Sequence, residues 1–468
     1  MKRVKGKVIL LITALSLILG ALSLGYLGLS NYYSNRFCYG TWINGIYCTG
    51  KTVSEVNDLL VAQTEMEKFQ IIDQTGEIVV IEPETIGMKI DYSGQLRALL
   101  KKQNPFLWTE KLQQNFQEFS YKPEYLFDEK LLKQAIAKTN IVIEANHKVQ
   151  DVVITKGDNG YELYDGTTNN LQEDKVFTVV AEAIWKGKFA VNLAESACYK
   201  DLEYTAEMLE KLDLFAKIDE FQNPGIIYDM GDALVEIGPS IASEWISLDE
   251  NGEVLLDDSG KLILRKEGIE EFIAGLAKEY DTYGSARTFQ TTRGDIIMVS
   301  GGIYGNQLDQ KKEIIYLTDA VLNDISETHI PKYQKEAFVR GKNDIGSTYI
   351  EIDITSQKMY YYENGELLIE TDVVTGCVKE KHETPSGVNY VYDKSRNVVL
   401  RGKDYESFVK YWLPVKGGIG IHDASWRRKF GGEIYLKNGS HGCINTPTDV
   451  MKQLYNQVKV GTPVVMFY

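Results

Sequence analysis

"KMYYYENGELLIETDVV", residues 358–374, holds two β-rich runs joined by Asn364-Gly365. An Asn-Gly pair is favoured where both central residues of a two-residue hairpin turn need positive φ, so the stretch reads as a β-hairpin. Just upstream, "YIEIDIT" (349–355) alternates with period two, and the final "GTPVVMFY" (461–468) is another short apolar run. From Tyr349 onward the chain is therefore expected to be mostly β. One helix should interrupt it: Thr446 is placed to cap, Pro447 suits the first position and Asp449 completes a capping-box spacing. Val450, Met451, Leu454 and Val458 would form its buried stripe.

The loop entering that helix is "GSHGCINTP" (439–447), which sets His441 and Cys443 two residues apart in a chain with only five histidines and five cysteines. A third such residue, His422, lies 21 positions upstream in "GIGIHDASW". A thiol attacks as thiolate, and a nearby imidazole together with a helix N-terminus is expected to lower its pKa from about 8.5. Small neighbours would let the amides of Gly442 and Cys443 converge on a developing oxyanion. In this reading Cys443 attacks a carbonyl, His422 is the base, and a carbonyl or carboxylate near Asp423 orients the ring. The plainer alternatives are a core cysteine between Gly and Ile and a His441 that only caps a turn. A metal site from His422, His441, Cys443 and His382 lacks a usual zinc spacing, so no metal is expected.

A length of 468 residues exceeds what one hydrophobic core organises and predicts two or three domains. The net charge of -15 argues against nucleic acid as a partner, because phosphate binders cluster Lys and Arg. At the N-terminus Lys2, Arg3, Lys5 and Lys7 precede an uncharged run, Val8–Leu29, whose 22 residues suffice to cross the roughly 30 Å hydrocarbon core. The run is longer than a signal peptide's apolar region, and no A-x-A site follows. A retained single-pass anchor is expected, with residues 1–7 in the cytoplasm, 8–29 in the membrane and the remainder outside; Tyr26, Tyr32 and Tyr33 suit the outer interface. Cys38 and Cys48 could pair or stay reduced; Cys198 and Cys377 read as small core residues.

"GTWINGIYCTGKTVSEVNDLL" (40–60) reads as a strand or turn leading into an amphipathic helix. A partial echo then links 157–184 with 301–325: each has a Gly-Tyr or Ile-Tyr-Gly turn, an Asp a few residues on and a helix of similar length. Two α+β modules are expected, at 38–200 and 201–330, with the polar stretch 327–348 connecting them to a domain at 347–468.

The segment "IHDASWRRKFGGEIYLKNGSHGCINTP" (421–447) resembles the catalytic signature of L,D-transpeptidases with a YkuD-type domain: a His, a spacer, then Ser/Thr-His-Gly-Cys-hydrophobic-Asn. His422 and the run Ser440 to Asn445 fit it, and "TGCVKEKHETPSG" (375–387), with Thr384, Pro385 and Gly387, resembles the family's upstream element. "WINGIYCTGKT" and the two modules resemble peptidoglycan-binding domains that precede this domain in Gram-positive enzymes. The resemblance implies a mixed fold, with a mostly-β YkuD-like catalytic domain behind two α+β modules and one transmembrane helix. It also implies an enzyme that cleaves before the terminal D-residue of a tetrapeptide stem, holds the stem as a thioester and transfers it to an acceptor amine, giving a 3→3 cross-link. Cys443 would be the nucleophile and His422 the base. Ser440, His441, Gly442, Asp423 and Asn445 would shape the site, and Tyr411, Trp412 and Trp426 would line the groove. No cofactor is implied. The partners would be stem peptides, wall glycan and the cell membrane, with the catalytic domain on the wall side. Water as acceptor, giving an L,D-carboxypeptidase or endopeptidase, stays open. So does a non-catalytic wall-binding protein, although the intact Cys/His set argues against it.

Overall fold

The computed structural model describes residues 2–113, 116–402 and 405–468, and their side chains from residue 4 onward. The chain forms two compact units, Met1–Val153 with Tyr164–Leu209, and Ile154–Leu163 with Glu210–Tyr468.

The first unit opens with the helix Lys2–Tyr33. From Val4 it reaches a mean hydropathy of 2.5 and buries none of its apolar window, the one described helix long and apolar enough to cross a membrane. Beyond it, Thr41–Ile43 and Ile46–Tyr47 form a hairpin through Asn44 (φ 47°) and Gly45 (φ 78°). The helix Val53–Gln63 follows, opened by a reciprocal capping box between Thr52 and Glu55, as the strand-turn-helix pattern predicts. Phe37, Ile43, Cys48, Val56, Leu60 and Leu96 bury together beneath these elements.

The sequence echo marks a repeated topology. In the first unit Phe69–Ile72 pairs antiparallel with Ile78–Ile81 and parallel with Ala190–Asn192. In the second, Ile227–Asp229 pairs antiparallel with Leu234–Glu236 and parallel with Thr328–His329. Each parallel strand follows a 13-residue helix, Glu173–Trp185 or Gln310–Leu322. A two-residue strand precedes each helix, Asn170–Leu171 or Gln307–Leu308, and pairs antiparallel with a later strand, Tyr199–Lys200 or Tyr333–Lys335.

The polar stretch 327–348 is held by buried contacts. Asp344 is 1% exposed and holds the buried Arg287 (7%) through Nη2–Oδ2 at 2.7 Å, while Thr282 Oγ1 donates to the same carboxylate at 2.7 Å. A buried charge needs such partners, which ties this segment to the strand Arg287–Gln290. That strand and Ile296–Val299 form a hairpin, and Phe289, Val299 and Tyr304 share a cluster with Val388, Val465 and Phe467 of the C-terminal domain. At the hairpin tip, Thr292 N–H donates to Glu351 at 2.9 Å and Arg293 pairs with Asp353 at 2.9 Å.

Among the described residues the C-terminal domain contains nine strands: β1 (Tyr349–Asp353), β2 (Lys358–Glu363), β3 (Glu366–Asp372), β4 (Gly387–Tyr390), β5 (Ser395–Arg401), β6 (Glu406–Lys416), β7 (Ile419–Asp423), β8 (Ile444–Thr446) and β9 (Pro463–Phe467). They build two sheets, in the orders β3-β2-β1-β9-β4 and β5-β6-β7-β8. β1–β9 and β7–β8 are parallel and the other pairs antiparallel. The β2–β3 hairpin turns through Asn364 (φ 53°) and Gly365 (φ 85°), as the dipeptide predicts. Ile350, Ile352 and Met466 from one sheet meet Leu413, Ile421 and Ile444 from the other in one core, closed by Met451 and Leu454 of the helix Thr448–Gln457.

That helix begins later than the capping pattern predicts. Thr446 belongs to β8, where backbone pairing with β7 claims it, and Pro447 takes the cap position with no side-chain cap bond. All five cysteines, including Cys38 and Cys48, are buried free thiols.

Candidate active site

The parallel pairing of β7 with β8 assembles the centre. His422 lies across from Asn445, and Ile421 across from Ile444. Side chains alternate faces along a strand, so Cys443 and Asn445, two apart, project to the same side as His422. Ile421 and Ile444 point the other way and hold both strands to the core. The result is a cleft of about 200 Å³ whose lining includes His422, Ser440, His441, Cys443 and Asn445, with Trp426, Arg427, Leu400 and Tyr405 on its walls.

His422 is 4% exposed. Its Nδ1 lies 2.8 Å from the backbone carbonyl of Asp423, which can only accept, so Nδ1 carries the proton. Nε2 is then the basic nitrogen, 3.2 Å from Asn445 Nδ2, which donates to it. Burial pushes the imidazole below its ordinary pKa, against a smaller upward pull from Asp423. The ring is therefore a neutral base of fixed tautomer. The Asp423 carboxylate takes no part in orienting it: on the opposite face, it accepts the amides of Lys410 (2.8 Å) and Tyr411 (2.9 Å) in β6.

Cys443 is 6% exposed and its Sγ donates to the carbonyl of Gly418 at 3.7 Å. Burial pushes the thiol up to about 11, opposed only by a backbone hydrogen bond from Gly420. This overturns the expected lowering by a helix N-terminus: β8 separates the cysteine from the helix that starts at Thr448, and a helix terminus acts only over about its first turn. The resting pair is a neutral thiol and a neutral imidazole.

The turn before the thiol is locked from several sides. Gly442 adopts φ 114°, a conformation that L side chains avoid. Its amide donates to Ser440 Oγ at 3.1 Å, and its carbonyl accepts from Thr384 Oγ1 at 2.7 Å. Ser440 Oγ also donates to the Cys443 carbonyl. Gly439 runs against the backbone of Cys377, where a Cβ would meet Cα at 2.5 Å. His441 is exposed, its ring between those of Tyr405 (4.5 Å) and His382 (4.7 Å). Ligand atoms of Glu380, His382 and His441 lie within 4.8 Å of one another, the one such metal-competent grouping among the described residues, and it excludes both Cys443 and His422.

The aromatic expectations divide by strand parity. Trp412 pairs with His422 in the β6–β7 register and its ring lies 5.9 Å from the imidazole, but it backs the imidazole and is not part of the cleft lining. Trp426, about half exposed, stands at the same 5.9 Å and lines the cleft. Tyr411 does not line it: one residue before Trp412, it faces inward, 6% exposed, and joins the core beside Tyr455. Arg427, not singled out in the sequence, organises the site. It donates from Nε to Asn445 Oδ1 (2.7 Å) and from its terminal nitrogens to the carbonyls of Asn438 (2.8 Å) and Gly439 (3.0 Å). Its position inside the quoted His-to-Cys segment was the available signal; Tyr405 and Leu400 had none.

Comparisons with known proteins agree on the region. Residues 347–466 match the family model "L,D-transpeptidase catalytic domain", and residues 238–329 match "Putative peptidoglycan binding domain". No curated protein matches the chain. Among solved structures, a Cys-to-Ser variant of Enterococcus faecium L,D-transpeptidase is 32% identical over 55% of this chain and 100% of its own, with a TM-score of 0.48. The catalytic domain of the E. faecium enzyme acylated by ertapenem is 46% identical over 26% of this chain and 98% of its own (TM-score 0.25). A Mycobacterium smegmatis L,D-transpeptidase is 26% identical over 26% of this chain and 59% of its own (TM-score 0.23).

Proposed function

Because the chain belongs to the family of L,D-transpeptidases with a YkuD-type catalytic domain, we propose that it joins peptidoglycan stem peptides by 3→3 cross-links through a thioester on Cys443. The observation that carries this reading is one shared face: a buried thiol and a buried imidazole of fixed tautomer on adjacent parallel strands, opening into one cleft.

The chemistry follows from the neutral pair. As Cys443 Sγ attacks the carbonyl preceding the terminal D-residue, the Asn445 amide releases His422 Nε2, which takes the thiol proton, and the imidazolium is stabilised by the Asp423 carbonyl at Nδ1. Collapse of the tetrahedral intermediate breaks the amide, and His422 returns the proton to the departing amine. The acceptor amine then attacks the thioester, gives its proton to Nε2, and the thiolate leaves and is reprotonated. The 441–443 turn supplies the oxyanion donors; for the Gly442 amide to serve, the Ser440 hydroxyl must release it.

The helix beginning at Lys2 acts as a retained membrane anchor and the repeated modules as wall-polymer binders, so the catalytic domain works on the wall side. The test is mass spectrometry of the products from purified disaccharide-tetrapeptide. Dimers joined between third residues support the reading. Free tripeptide with no dimer favours water as acceptor, and no turnover favours a binding protein.

A further inference from the structure

We propose that the segment from Phe106 to Leu112, together with Phe116, is a second membrane contact, a foot embedded at the outer interface of the bilayer that the N-terminal helix spans; this rests on the anchor reading above. The helix and this segment meet at one depth. Tyr26 lies three residues inside the end of the apolar run at Leu29, about 4–5 Å along the axis at 1.5 Å per residue. Its hydroxyl donates to the backbone carbonyl of Phe106. The Trp108 ring sits 6.0 Å from that of Tyr26 and 6.4 Å from that of Tyr33, spanning one edge of the helix. If Tyr26 is at the hydrocarbon boundary, Phe106 and Trp108 are at that boundary too.

The segment's chemistry suits that depth. Phe106 is 52% exposed, Leu112 52% and Phe116 71%, large apolar side chains that a wholly aqueous loop would cover. Lys102 precedes them and Lys111 lies among them beside Glu110, and both lysines suit anionic headgroups, while Trp108 is of the type enriched at the membrane interface. Between the helix and Trp108–Thr109 lies an open groove of about 740 Å³, lined by apolar residues such as Leu19, Leu22 and Leu29. A groove descending beside the spanning helix has the shape and chemistry of an acyl-chain site. The occupant is lipid, and the first module rests on the bilayer instead of swinging from a free tether.

The test uses the full chain in vesicles of equal phosphatidylglycerol and phosphatidylcholine. Single cysteines at Leu17, Phe106, Leu112 and Asp258, in a background with Cys38, Cys48, Cys198, Cys377 and Cys443 all replaced by Ala, carry an environment-sensitive fluorophore, and nitroxide-labelled lipids serve as quenchers. The proposal expects strong quenching at 17, strong quenching at 106 and 112 by shallow nitroxides, and none at 258. Quenching at 17 with none at 106 and 112 overturns the foot while leaving the anchor standing. No quenching at 17 removes the anchor, and the foot with it.

Discussion

The Asn445 carboxamide links His422 to the loop that carries the nucleophile: its Nδ2 donates to His422 Nε2 at 3.2 Å while its Oδ1 accepts from Arg427 Nε at 2.7 Å. Arg427 can only donate, so it fixes which end of the amide faces the imidazole, and the Nδ1 bond to Asp423 fixes the other side of the ring. Asn445→Ala frees the ring from the contact that positions it before the proton moves, and kcat should fall about tenfold, ~1.4 kcal/mol on the barrier. Asn445→Asp should instead move the acid limb of the kcat/KM profile to higher pH, since a carboxylate beside Nε2 favours the imidazolium. An unmoved limb would remove Asn445 from this role.

The neutral resting pair has a kinetic signature. With the thiol pushed up to about 11, alkylation of Cys443 by iodoacetamide should rise roughly tenfold per pH unit from neutrality towards that value. Neutral His422 does not hold the thiolate, so His422→Ala should leave the alkylation profile nearly unchanged while turnover falls by about 10²–10⁴, as for loss of a general base. A large shift of the alkylation midpoint would mean that the resting pair is ionic.

Stability should bend at both ends of the pH range. His422 is depressed in the fold, so between its ordinary value near 6.5 and its lower folded value the unfolded chain binds more protons. The His422 contribution is therefore intact above about pH 6.5 and lost as pH falls below it. Cys443 is raised, so between about 9 and 11 the folded chain holds the proton, and stability falls as pH rises through that window. Thermal melts across pH should show His422→Gln flattening the acid side and Cys443→Ala the alkaline side.

The buried pair of Arg287 and Asp344 predicts a structural cost away from the cleft. Asp344→Ala leaves a guanidinium at 7% exposure without its counter-charge, and denaturant titration should register a loss of about 3–5 kcal/mol. A loss below about 1 kcal/mol would mean that this pair does not hold the 327–348 segment in place.

What could be read in the sequence followed local rules. Asn364-Gly365 dictates its turn, the stretch 40–60 reads as the strand, turn and helix that it forms, and the His422-to-Asn445 signature brings its own geometry. What escaped depends on partners distant in sequence. Thr446 has the side chain of a helix cap, but pairing with β7 takes it into a strand. Tyr411 and Trp412 look alike in sequence, and only the β6 register decides that one is core and the other faces His422. The thiol's high pKa reflects burial across a whole domain, which no neighbouring residue encodes.

If Cys443 carries the stem as a thioester with His422 as its base, intact-mass spectrometry on donor stem should catch the acyl-enzyme. The protein quenched in acid during turnover of disaccharide-tetrapeptide should gain the mass of the donor less its terminal D-residue. The adduct should map to Cys443, be released by hydroxylamine, be absent from Cys443→Ala and form far more slowly in His422→Ala. Cross-linked product formed by Cys443→Ala, or an adduct that maps to any other residue, would contradict the account.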